Sequence, residues 1–251
     1  QTLKDAPIDC SWHADLDTVD DGFALLYSNE LFDALPIRQF VKTEQGWRER
    51  TVTLGADDTL TLQAGPAAIE VPEWAFDAPT GTIAEIAPAR EALMASMANR
   101  LVAQGGVGLT IDYGHGDSAP GDTLQAVSDH QYVDVLYNPG DCDLTSHVDF
   151  AALATVARSE GAHAWPLQNQ GAFLLSLGLL ERAGALGSGK SSKIQENISQ
   201  AVERLAGSGK DQMGSLFKVL CISDDTVPFA PFGELPDQRP GQMPPTLASG
   251  D

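Results

Sequence analysis

Short apolar runs alternate with stretches of helical periodicity along the chain. That alternation predicts an α/β fold with a largely parallel sheet. Gly22-Phe23-Ala24-Leu25-Leu26-Tyr27-Ser28 reads as a strand buried on both faces, with Asn29 and Glu30 at its carboxyl end. Ile37 to Val41, Trp47 to Leu54 and Thr59 to Gln63 are separated by Gly46 and by Gly55-Ala56-Asp57-Asp58. They predict an antiparallel meander within a β-rich segment, residues 37–72. Pro88 opens a helix that ends near Gly105-Gly106, with Leu93, Met94, Met97 and Leu101 on one face. Val107 to Ile111 is a second buried strand, and Asp112-Tyr113-Gly114-His115-Gly116 follows it as a turn. Residues 117–147, rich in Asp, Gly and Pro, read mostly as loop. Helices are expected over Val148 to Ser159, Gln170 to Leu186 and Ser191 to Leu205, and a last strand over Leu216 to Ile222. Six prolines between Pro228 and Pro245 make residues 226–251 an irregular tail, leaving residues 1–225 as the folded domain.

Charge narrows the choice of partners. Asp and Glu number 35 against 15 Lys and Arg, a formal net charge of -20. Such a surface repels phosphate backbones, which argues against nucleic acid, and it attracts basic proteins; plain solubility is the alternative. No apolar run reaches the roughly 18 residues that a membrane span needs. Cys10, Cys142 and Cys221 form no Cys-x-x-Cys, so neither a zinc knuckle nor a disulfide framework is indicated. Gln1 to Asp5 shows no charged-then-apolar leader. A reducing, cytoplasmic compartment is the expectation.

In an open parallel sheet, ligands bind beyond the carboxyl ends of the strands. Two polar clusters fall there: Asn29-Glu30 with Asp33, and Asp112 to His115. Gly114 and Gly116 let the backbone turn and approach a ligand, and Asp129-His130 joins from the following loop. The alternative is that these residues cap their own turns. Glu30 and Asp33 are three apart, so a helical turn starting at Leu31 would aim both carboxylates the same way. Paired carboxylates orient a cation or take up a proton; acidic residues also favour helix starts for their own sake. His147-Val148-Asp149 and Asp112 with His115 offer metal-ligating groups, but no helical His-Glu-x-x-His exists, and no metal is expected. Gly184-Ala185-Leu186-Gly187-Ser188-Gly189-Lys190-Ser191 matches the phosphate-loop pattern. A phosphate loop must leave a strand, however, and a helix-like segment runs into this one.

Ser28-Asn29-Glu30-Leu31-Phe32-Asp33-Ala34-Leu35-Pro36, followed by Gln45-Gly46-Trp47-Arg48-Glu49, resembles the MidA-type family of S-adenosylmethionine-dependent methyltransferases. The resemblance runs on through Ile111 to His115, Ser128 to His130, Asn138-Pro139-Gly140, Asp143-Leu144-Thr145, Val148-Asp149-Phe150, Gln170 to Leu174 and Met213 to Leu220. It implies a partial Rossmann-like methyltransferase sheet with an inserted antiparallel β-rich segment and C-terminal helices. It also implies methyl transfer from S-adenosylmethionine to arginine of a basic protein. Glu30, Asp33 and His115 are then the catalytic candidates, and Asn29, Asp112, Tyr113 and Gly114 the cofactor contacts. The family begins with further helices and a glycine-rich cofactor turn that have no counterpart before Gly22. The expectation is therefore an N-terminally truncated chain, inactive alone, with an uncovered sheet edge that promotes self-association as a homodimer. Family members are cytoplasmic in bacteria and mitochondrial in eukaryotes. A non-catalytic assembly factor is the alternative, and a phosphate-loop nucleotidase a more distant one.

Overall fold

A computed structural model describes residues 7–67, 71–209, 212–226 and 228–233. The strands are β1 (Ala24–Asn29), β2 (Arg38–Thr43), β3 (Gly46–Leu54), β4 (Leu60–Ala67), β5 (Ile83–Ile86), β6 (Gly106–His115), β7 (Gln125–Ser128), β8 (Gln131–Val133), β9 (Asp143–Thr145), β10 (Val148–Asp149), β11 (His163–Ala164), β12 (Gln168–Asn169) and β13 (Phe217–Ser223). The helices are α1 (Pro88–Gln104), α2 (Phe150–Ser159), α3 (Gln170–Ser176), α4 (Leu179–Gly187), α5 (Ser192–Ala206) and α6 (Met213–Leu216).

The central sheet has the order β1-β6-β13-β11, with β10 beside β6 and β12 beside β13. Side chains alternate across it. Leu220 and Ile222 face α1 and α2, where they meet Met94, Leu101, Phe150 and Leu153. Val219 and Cys221 face the other way, toward Trp165, Phe173 and Phe232. This explains why β13 is an unbroken apolar run from Val219 to Ile222.

The sheet is mixed rather than largely parallel. β1 and β10 run parallel to β6, but β13 runs antiparallel to it, with Phe217 opposite Tyr113. An apolar strand covered on both faces looks the same in either direction, so its composition does not encode polarity. The meander is present, as a four-stranded antiparallel sheet β4-β3-β2-β5 with its own small core of Phe40, Trp47, Ala75 and Ala84.

Three further expectations are corrected. Residues 117–147 are not mostly loop: β8-β7-β9 form a three-stranded antiparallel sheet. Asp129 and His130 are its hairpin tip, both at positive φ, as a tight two-residue turn requires. They are exposed and belong to that turn. The helix from Gln170 to Leu186 is two helices, because Gly178 adopts φ 85° and turns the chain between α3 and α4. Finally, β6 continues through His115, so Asp112 to His115 are strand residues and not a turn. Gly114 serves a close strand approach: a Cβ there would lie 2.0 Å from the Val148 carbonyl oxygen. Of the Pro-rich tail, Pro228 to Gly233 packs Phe229 and Phe232 against Trp165, and residues 234–251 lie outside the described residues.

β1 is an edge strand among the described residues, and it departs from the expectation of burial on both faces. Leu25 is 77% and Tyr27 66% exposed, whereas Leu26 packs inward and Ser28 is buried. One face of β1 lies on the core and the other is bare.

Candidate active site

β1 and β6 lie side by side in parallel, so Asn29 sits opposite Ile111 and the next residues of both strands share one rim. The Glu30 N–H donates to the Ile111 carbonyl at 3.0 Å, the last link between the strands. Glu30 then takes φ 48°, a left-handed conformation uncommon for a residue with a side chain. Such backbone persists where the surroundings impose it, often at functional sites. Its carboxylate is exposed, and the Asn29 carboxamide donates to it at 3.2 Å.

Residues 31–35 form a turn, not a helix. Glu30 and Asp33 therefore do not form the carboxylate pair that their spacing suggests. Glu30 faces solvent, and Asp33 is buried. The closely coupled acids are Asp33 and Asp112. Asp112 has no exposed surface. Its Oδ2 accepts from the backbone N–H groups of Phe32 and Asp33, at 3.0 and 3.2 Å, and its Oδ1 from that of Tyr113 at 2.9 Å. Burial, and next the nearby Asp33 charge, push its pKa up to about 6, although the three N–H groups pull it down. Asp112 thus shapes the turn that follows β1.

Tyr113 donates its hydroxyl to Asp33 Oδ2 at 2.7 Å. Burial pushes the phenol well above its ordinary range, so it remains a donor at neutral pH. Asp33 Oδ1 is buried with no partner among the described residues. His115 points its Nδ1 at the Asp117 carbonyl, 2.8 Å away. The carbonyl only accepts, which places the proton on Nδ1 and leaves Nε2 free. His147 meets Tyr113 edge to face at 5.6 Å between ring centroids. Burial, then the neighbouring His115, lowers the His147 pKa.

Sequence reasoning missed Arg90, the residue that locks this arrangement together. It is 2% exposed. Its Nη1 donates to the His147 carbonyl at 2.6 Å. Its Nη2 donates to the carbonyls of Asp33 and Ser146, at 2.9 and 3.2 Å, and to the Ser146 hydroxyl at 2.6 Å. Burial lowers its pKa, opposed by the charges of Asp112, Glu85 and Asp33. The signal was present: Arg90 precedes Met94, Met97 and Leu101 at helical spacing, a cation on an otherwise apolar stripe.

The other motifs serve the fold. Asp149 caps α2 by accepting from the Ala152 N–H at 2.9 Å. Among the described residues no group of three His, Cys, Asp or Glu is placed to hold a metal ion. Gly184 to Gly187 close α4, and Ser191 precedes α5, so the phosphate-loop string joins two helices and leaves no strand. No described helix is long and apolar enough to cross a membrane.

Comparison with known proteins bears on the family and the fold. Human protein arginine methyltransferase NDUFAF7, a mitochondrial protein, is 31% identical over 218 residues, covering 86% of this chain and 48% of its own length. The rat protein of the same name is 34% identical, over 86% of this chain and 49% of its own length. A Burkholderia thailandensis protein crystallised with S-adenosyl-homocysteine superposes with a TM-score of 0.72 at 25% identity, over 83% of this chain and 55% of its own. The chain spans about half the length of the curated relatives it matches. The model of the S-adenosyl-L-methionine-dependent methyltransferase family Methyltransf_28 matches residues 1–167, and the chain belongs to that family.

Proposed function

We propose that this chain forms the substrate side of an enzyme that methylates arginine in a basic protein. Bound S-adenosylmethionine supplies an electrophilic methyl group. The residues of the rim suit such a ligand in one observable way: Asp33 Oδ1 is a buried acceptor with no partner among the described residues, an unmet demand for a donor beside the rim. The exposed Asn29 carboxamide, four residues earlier, offers a second contact. Asp112 and Gly114 act indirectly, the first by holding the turn at residues 32–33 and the second by admitting β10.

The observation that carries the reading is Glu30, an exposed carboxylate fixed in a left-handed conformation at a strand end. Guanidinium is a poor nucleophile, with a pKa above about 12. Glu30 accepts its N–H groups, orients one nitrogen, and takes the proton released as the new N–C bond forms. His115 lines the approach with a free Nε2. The acidic surface draws a basic target toward the rim.

The test is Glu30→Gln in a protein that carries this chain at the full length of its relatives. Methyl transfer to an arginine-rich protein is expected to fall about 10²- to 10⁴-fold with cofactor binding retained. Unchanged turnover would remove Glu30 from the mechanism. If the unsubstituted protein turns nothing over, the same rim serves a non-catalytic partner. The bare face of β1, with Leu25 and Tyr27, supports docking of more protein at that edge, a second copy of the chain included.

A further inference from the structure

A partly open pocket of about 210 Å³ lies next to the rim but does not include Glu30 or Asn29. It is bounded by Trp74, by the start of α1 at Arg90 and Glu91, by His115 at the end of β6, and by His147 and Asp149 before α2. Tyr113 joins it to the rim: the ring meets His147, and the hydroxyl reaches Asp33. The volume suits one side chain with a little backbone rather than a free cofactor.

The charges on its wall are unequal. Glu85, Glu91 and Asp149 face the single cation Arg90. Glu85 is fully occupied by Gln39, Thr123 and Leu124. Glu91 is different. It is half-buried, and its carboxylate has no hydrogen-bond or ion-pair partner among the described residues. Asp149 has one oxygen committed to its helix cap. Trp74 is half-buried and adds an aromatic wall, which favours a cation in a desolvated setting. A second feature points to a guest. Arg90, though 2% exposed, leaves its buried Nε without an acceptor. A buried donor without an acceptor is unfavourable, so an acceptor brought to it is favoured.

We propose that this cavity receives a basic side chain of the protein substrate, one that neighbours the arginine presented to Glu30. The guanidinium or ammonium lies between Glu91 and Trp74, and a main-chain carbonyl of the same peptide accepts from Arg90 Nε. The inference rests on the reading of a basic protein substrate, but it concerns a separate pocket with separate residues.

The experiment titrates the 251-residue chain with Nα-acetyl-arginine methylamide and follows the Trp74 indole N–H by NMR. Saturable movement of that resonance is expected, weakened at least tenfold in Glu91→Gln and unchanged in Glu30→Gln. Nα-acetyl-norleucine methylamide, of similar shape without the charge, is expected not to move it. The proposal is overturned by a Trp74 signal that never moves, by equal affinity in Glu91→Gln, or by equal binding of the norleucine compound. Those results leave the role of Glu30 standing. Retained turnover in Glu30→Gln would remove that role and leave the pocket standing.

Discussion

The rim has two halves, adjacent in space and opposite in construction. In one, Asp33, Asp112, Tyr113 and Arg90 are sunk below the surface. Apart from contacts to the Ser146 hydroxyl and the Gln125 carboxamide, their side-chain hydrogen bonds are to backbone groups or to one another, and their task is to hold a turn. In the other, the side chains of Asn29 and Glu30 stand in solvent and, among the described residues, hydrogen-bond only to each other. The difference teaches that residue type does not announce role. Asp33 and Glu30 are both acids in one short motif, but burial commits Asp33 to Tyr113, and exposure leaves Glu30 available.

The contrast is broken most severely at Arg90. Replacing it by Ala strips the carbonyls of Asp33, Ser146 and His147 of their donor in a site that water does not reach. A loss of about 3–5 kcal/mol is expected. Urea unfolding measures it, and a loss below about 1 kcal/mol would show that the buried half is not held by Arg90.

Asp112 sharpens the comparison through pH. Its folded pKa, about 6, lies above the ordinary 3.8, so the folded state keeps this proton more tightly than the unfolded chain does. Below about pH 4 both states are protonated and Asp112 costs nothing. As pH rises from about 4 to 6 the unfolded chain releases its proton first, and stability falls by about 3 kcal/mol in total. Asp112→Asn is expected to flatten that slope, at the cost of a mismatched contact to the Tyr113 N–H. Unfolding midpoints from pH 4 to 7 compare the two proteins. An identical slope in the variant would assign the effect elsewhere.

Tyr113→Phe is smaller still. It leaves both Asp33 side-chain oxygens buried without a donor, an expected loss of about 1–3 kcal/mol by thermal or urea unfolding. At the far end, Glu30→Gln should change stability by less than about 0.5 kcal/mol, since nothing rests on its carboxylate except Asn29. A large loss there would mean that Glu30 belongs to the buried, holding half.

Much of the architecture was legible from the chain. The helix from Pro88, the antiparallel meander, and the closeness of Asn29-Glu30 to Asp112 all follow from periodicity, punctuation and the rule that parallel strands carry their ends to one rim. What failed was what periodicity cannot see. Strand direction at β13 leaves no trace in a run buried on both faces. The extension of β6 through His115 depends on β10 and β13 arriving to pair with it, at Gly114 and Tyr113. The short strands β7 to β9 are too brief and too polar to stand out from loop.

The sequence alone therefore determined the α/β class, the family and the pool of candidate residues, because these rest on local spacing and on ordered blocks that survive along the chain. The tertiary structure decided which acids pair, which are sealed and which remain open. It moved the carboxylate pair from Glu30 and Asp33 to Asp33 and Asp112, and it revealed Arg90 beneath them. Desolvation and hydrogen-bond partners govern a side chain's chemistry, and both are set by residues distant in sequence: Asp112 lies some 80 positions from the turn it holds, and Arg90 more than 50 from the carbonyls it binds.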